Sequence, residues 1–272
     1  YAQGDYTLER MLADMDEAGV DAAVLKVPGC NEWMSLETCQ LFNDGMARHA
    51  RESGGRLVPL AVVPATGGPR VDAEIDRCLG ELGFGGVQLC AHYGNHYLDD
   101  KMFSPLFSKL DTLGATVYVH HVPVPVHAES LLDYSNLRRS YGRCVDQTTA
   151  VGRELFSDFF ERYPHLRMVH SMLGGGFFAI QQMLLPHASK RKDAVERFKT
   201  DDGELAERLR SHVYFEMSHA QPWGRDALEC AIRVMGADRV VFGTSYPVRR
   251  EWLLDGPSFV RDLDISEVDK ER

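Results

Sequence analysis

Short apolar, β-branched runs alternate with amphipathic stretches along the whole sequence. That alternation restricts the fold more than any single motif does. In residues 7–20, TLERMLADMDEAGV, the apolar Leu8, Met11, Leu12 and Met15 share one helical face, and Gly19 stands where a C-cap glycine is expected. DAAVLKVP (21–28) then reads as a buried strand. A helix over 35–52 leads to RLVPLAVVP (56–64), one over 70–82 to GFGGVQLCAH (83–92), and one over 103–113 to ATVYVHH (115–121). After a longer insertion (123–144), a helix over 149–163 leads to HLRMVHS (165–171). A charged helical stretch ending near Arg210 leads to SHVYFEMSH (211–219), and a helix over 225–235 leads to ADRVVFGTS (237–245).

Strands that are apolar on both faces and separated by helices form parallel sheets. About seven such units in one chain of 272 residues predict an α/β fold, a (β/α)8 TIM barrel, ahead of an open doubly wound sheet. Nothing resembles a linker, so residues 1–272 are expected to form a single domain, with an active-face insertion around 122–147. The repeat opens on a helix and ends in polar ISEVDKER, so a barrel in this phase calls for a strand before Tyr1 and a helix after Arg272. No GxGxxG or GxxxxGK[ST] follows a strand, so no nucleotide cofactor is expected.

The formal net charge of −10 disfavours nucleic acid or an anionic membrane as partner, because phosphate binding needs clustered Lys and Arg. No apolar run reaches the ~18 residues of a membrane span. Six cysteines without a CxxC pair suit a reducing compartment, and the polar start YAQGDYTLER lacks the pattern of a signal peptide, so the cytoplasm is expected.

In a barrel of this class the chemistry gathers at the C-terminal strand ends. Those ends carry Cys30, Pro64, His92, His120, His121, His170, His219 and Ser245, and so five of the eleven histidines. Imidazole titrates near neutrality and binds transition metals, so the cluster predicts proton transfer, metal binding or both. Adjacent strand residues point to opposite faces, which argues against His120 and His121 sharing one metal. The insertion brings Arg138, Arg139 and Arg143 beside Tyr134 and Tyr141; it is either a lid whose arginines grip a carboxylate or a solvated loop. In HSMLGGGFF (170–178), three glycines allow close backbone approach to a ligand or simply a tight turn. Trp223 and Trp252 are further candidates for the pocket lining.

The segments AGVDAAVL, GFGGVQLCAHYGNHYLDDKMFSPLFSKLDTLGATVYVHH, FFERYPHLRMVHSMLGGG and ADRVVFGTSYP, in that order, resemble landmarks of the amidohydrolase-related family of metal-dependent TIM barrels. That family includes aminocarboxymuconate-semialdehyde decarboxylase and the aromatic-acid decarboxylases. The resemblance implies one divalent metal, zinc or manganese, held by an HxH pair on a first strand, a histidine matching His120 and an aspartate where this chain has Ser245. It assigns His170 as acid/base; taken with the strand-end cluster and the insertion, it gives Arg143 or Arg139 an assisting role and places His92, His121, His219, Ser245 and Tyr246 around the substrate. The implied activity is decarboxylation of a small aromatic or unsaturated carboxylic acid by a homodimer. Two alternatives stay open. One is hydrolysis of a lactone, amide or C–C bond; the other is a metal-free tailoring or binding protein, suggested by Ser245.

Overall fold

The computed structural model describes residues 6–28, 32–185 and 202–272. Cys30 lies outside the described residues. Seven strands make one parallel sheet. They are β1 (Ala23–Leu25), β2 (Leu57–Val62), β3 (Gly86–Cys90), β6 (Thr116–His120), β7 (Arg167–His170), β8 (Val213–Glu216) and β9 (Val240–Val241), paired in that order. A two-stranded antiparallel hairpin, β4 (His92–Tyr93) with β5 (His96–Tyr97), follows β3. The expected barrel is thus present as a curled parallel sheet with helices on its outside.

Local signals place the elements. Thr7 caps the helix Leu8–Ala18 by accepting from the Arg10 amide, and Gly19 ends it in the left-handed region. Ser35 caps the helix Leu36–Glu52 in the same way. Val87, Leu89, Val117, Val119, Met168 and Phe215 are buried between sheet and helices, each contributing roughly 1.5–3 kcal/mol of burial. The strands are shorter than their apolar runs, because only the central residues pair. The helix expected over 70–82 runs from Pro69 to Asp76 and continues as a π-helical turn, Arg77–Glu81. The helix expected over 149–163 starts earlier, at Arg143, and is broken at Ser157 into Arg143–Phe156 and Phe159–Arg162.

Register fixes which face each residue uses. Val58, Leu60 and Val62 of β2 share a face with Gln88 and Tyr118, because Val62 pairs with Gln88 and Gln88 with Tyr118. This is the inner face. Val119 and its partner His170 belong to the outer one. The two edge strands, β1 and β9, do not pair with each other among the described residues. Val24 and Val241, on the inner face beside those edges, are 58% and 42% exposed. The ends of the chain meet instead through helices. Asp14 accepts from the Tyr246 hydroxyl and from Arg250 Nε, both at 3.0 Å, while Met15, Leu57 and Leu253 bury one another. Among the described residues, no helix is long and apolar enough to cross a membrane.

Candidate active site at the strand ends

The inner face carries charge near the C-terminal end of the sheet. Glu216 ends β8 and is buried. Its carboxylate accepts from the Tyr118 hydroxyl (2.9 Å), the Ser218 amide (2.7 Å) and the Ser218 hydroxyl (2.9 Å). Gly243 on the neighbouring segment is needed for this arrangement, since a Cβ there would overlap the Glu216 carboxylate. Lys26, one residue past β1, points inward with Nζ 5.3 Å from the centre of the Tyr118 ring. Above them lie His120 and His121, with ring centres 4.2 Å apart. His121 has left the strand, so the alternation that would have put the two rings on opposite faces no longer applies. The His121 amide donates to Ser171 Oγ at 3.2 Å, and that hydroxyl lies 3.4 Å from its Nδ1. His219 is half-buried and stacks on Trp252 (4.4 Å), with Nδ1 3.4 Å from Ser245 Oγ. Ser245 takes a left-handed backbone (φ 48°), where a short polar side chain is tolerated.

The electrostatics follow from burial beside like charge. Desolvation, reinforced by the Lys26 and Arg143 cations, pushes His120 down to about 3, against a lesser upward pull from the His121 carbonyl. Burial, with His120, Arg143, Lys26 and His219 adding to it, holds His121 well below its ordinary value. Burial likewise lowers His219. Desolvation disfavours charge on both Lys26 and Glu216; their mutual attraction only partly offsets it. The mouth therefore holds neutral imidazoles under a positive field.

Of the residues expected to act together, His120, His121, His219 and Ser245 are brought into one region, and Arg143 is close enough for its charge to be felt there. Others are not. His170 is fully buried on the outer face, with Nδ1 3.1 Å from Gln147 Oε1 and Nε2 2.9 Å from Glu154 Oε2. Both ring nitrogens are committed to the helix Arg143–Phe156, so in this arrangement the imidazole expected to act as acid/base is turned away from the inner face. His92 is buried too, 3.2 Å from Asp146 and bonded through Nδ1 to the Gly94 carbonyl. Tyr246 turns toward Asp14 on the first helix, and Arg139 is exposed on the insertion. Trp223 donates to the Met217 carbonyl and packs beside Phe178. The glycine run serves packing. A Cβ at Gly174 would meet Phe215 at 2.8 Å, and one at Gly175 would overlap the Cys144 carbonyl. Lys26 and Glu216 were missed in the sequence, although a charge closing an otherwise apolar run (AVLK, VYFE) is a legible signal.

The implied metal can be tested against the donors present. A carboxylate at the Ser245 position would bring negative charge; the serine hydroxyl does not. Lys26 places a cation where it already lowers His120. Among the described residues, no group of three or more His, Cys, Asp or Glu side chains converges as a metal set. These donors alone do not fit a divalent ion.

Comparison with known proteins places the geometry in context. The profile of the amidohydrolase family matches residues 4–272. A 2-amino-3-carboxymuconate-6-semialdehyde decarboxylase of Dictyostelium discoideum is 25% identical over 239 residues, 87% of this chain and 64% of that protein. A gamma-resorcylate decarboxylase of Polaromonas sp. strain JS666 is 24% identical, covering 97% of this chain and 83% of that one. The chain thus spans about two thirds of the slime-mould relative's length. Among solved structures, a 5-carboxyvanillate decarboxylase of Novosphingobium aromaticivorans, complexed with manganese and 4-hydroxy-3-methoxy-5-nitrobenzoic acid, superposes with a TM-score of 0.80. It is 24% identical and covers 97% of this chain and 77% of its own. With the parallel sheet, its outer helices and the strand-end histidines all in place, the chain belongs to the amidohydrolase family.

Proposed function

We propose that this protein is a carboxy-lyase that removes CO2 from a small aromatic or unsaturated carboxylic acid. The observation that carries the proposal is the convergence of three histidines at the strand ends: His120 and His121 lie under the positive field of Lys26 and Arg143, and His219, lowered by burial, lies near enough to His121 to couple with it. An anionic acid is the ligand such a field attracts, and its carboxylate, once bound, would offset the positive field and raise the affinity of the imidazoles beside it for a proton. The names of the relatives support the same class: the two curated ones are decarboxylases, and the solved one holds a substituted benzoic acid.

Decarboxylation breaks one C–C bond. The electron pair stays on the carbon, which takes a proton, and CO2 leaves. His121 and His219 are the proton carriers in this proposal. His219 is held by Ser245 and by stacking on Trp252, and His121 by Ser171. Manganese accompanies the solved relative; this chain's described donors do not assemble a site for it, and no step is routed through one.

The test is incubation of the full-length protein in D2O with a panel of hydroxybenzoic acids. The expected outcome is CO2 release, with deuterium at the carbon that carried the carboxylate. His219→Asn and His121→Asn should each lower kcat by about 10²-fold or more. A product that has gained water without losing CO2 would assign the barrel to hydrolysis instead.

A further inference from the structure

Lys26 enters the reading above only as a source of positive field, yet its own placement on the inner face is unusual. Its strand, β1, is an edge strand of three residues, and the side chain leans over the Tyr118 ring into the barrel. Among the described residues, no carboxylate lies within ion-pair distance of its ammonium; the carboxylate whose charge reaches it is that of Glu216. That group is already committed to Tyr118 and to both donors of Ser218. The other charged or titratable groups felt at this place, His120, His121, Arg143 and His219, add no negative charge. Withdrawing an ammonium from water without a close partner costs free energy. A site that bears this cost and whose charge is felt at His120 and His121 is a candidate for function rather than for stability.

We propose that Lys26 is a substrate-positioning residue. Its ammonium holds the carboxylate of an anionic acid on the inner face of the barrel and sets the neighbouring carbon under His121 and His219. The assignment rests on the proposed decarboxylase function for the identity of the acid, but not for the existence of a carboxylate site. In this arrangement Glu216 is the anchor that keeps Tyr118 beneath the lysine, and Arg143 supplies field from the far side.

The test is calorimetric binding of two matched pairs to the full-length protein: 2,6-dihydroxybenzoate with resorcinol, and 2-hydroxybenzoate with phenol. Each pair differs by the carboxylate alone. Lys26→Met should weaken binding of the acids at least ten-fold and leave the phenols within two-fold of wild type. Lys26→Arg should recover part of the loss. The melting temperature of Lys26→Met should not fall, because the substitution removes an ammonium that has no close partner. Acid binding unchanged in Lys26→Met would overturn the assignment, as would failure of both acids to bind wild type. Equal loss of acids and phenols with a lowered melting temperature would make Lys26 a structural partner of Glu216 and overturn it too. CO2 release measured on the same samples separates the two proposals. Lysine-dependent acid binding without CO2 sinks the decarboxylase function and leaves Lys26 in place. CO2 release with unchanged KM in Lys26→Met does the reverse.

Discussion

His170 Nε2 lies 2.9 Å from Glu154 Oε2, on the outer face of the sheet and away from the barrel mouth. The contact is buried at both ends, and Gln147 holds the other ring nitrogen. The pair therefore ties β7 to the helix Arg143–Phe156. Removing the imidazole leaves a carboxylate and an amide oxygen without a partner in an apolar layer. His170→Ala should lower stability by about 3 kcal/mol, read as a drop in melting temperature. At low temperature, where the variant is still folded, kcat should stay within a few-fold of wild type. A folded His170→Ala protein with a hundred-fold loss of kcat would return the residue to the catalytic machinery.

This histidine also shows how far the sequence could be read. The alternation of apolar runs and helices located all seven strands of the sheet, because burial between helices demands continuous apolar stretches. The same continuity hides which face a strand-end residue uses. His120 and His170 both close a strand, yet His120 faces inward while His170, paired in register with Val119, faces outward. A shift of one residue reverses the face, and nothing in RMVH or TVYVH marks it. The meeting of His120 and His121 was hidden for a related reason: the strand ends between them. The pairing of His92 was not legible because its partner, Asp146, comes from the helix Arg143–Phe156, more than fifty residues on in the sequence.

The depressed histidines give the protein an acid-labile signature. For His120 the folded value is about 3 and the ordinary one 6.5. Between these values the unfolded chain binds the proton and the folded one does not, so stability falls as pH falls below about 6.5. For His120 alone the loss between pH 7 and pH 5 should be about 2 kcal/mol, and His121 acts in the same direction. Melting temperatures recorded with a chelator should fall over this range, with a shallower slope in His120→Gln. A flat profile in wild type would mean that the imidazoles are solvated.

Glu216 stands against Gly243 so closely that no side chain fits between them. Gly243→Ala should force the carboxylate off its three donors and cost about 3 kcal/mol. Glu216→Gln keeps the shape and one carbonyl acceptor but gives up an acceptor oxygen, so it should cost stability while the glycine is intact and cost less once Gly243→Ala has already displaced the side chain. Thermal unfolding of the two single variants and the double variant checks this. If the two losses simply added, the residues would not be coupled, and the close approach would carry no weight in the fold.

Ser245 Oγ lies 3.4 Å from His219 Nδ1, at the position where the family resemblance implies an aspartate. The backbone there is left-handed, a conformation that aspartate tolerates better than most residues, so Ser245→Asp should fold. The new carboxylate would add negative charge beside His219, which is electrostatically coupled to His121, next to His120. Oxygen and imidazole donors suit manganese and zinc. Manganese binding measured by calorimetry should tighten at least ten-fold in Ser245→Asp, which is about 1.4 kcal/mol. Adding His120→Ala to that variant should remove the gain, because the ion would lose its imidazole. Equal affinity in wild type and Ser245→Asp would place the hydroxyl outside the reach of any bound ion. A gain that survives His120→Ala would show that the new carboxylate binds metal without the histidine, and that the two do not share a site.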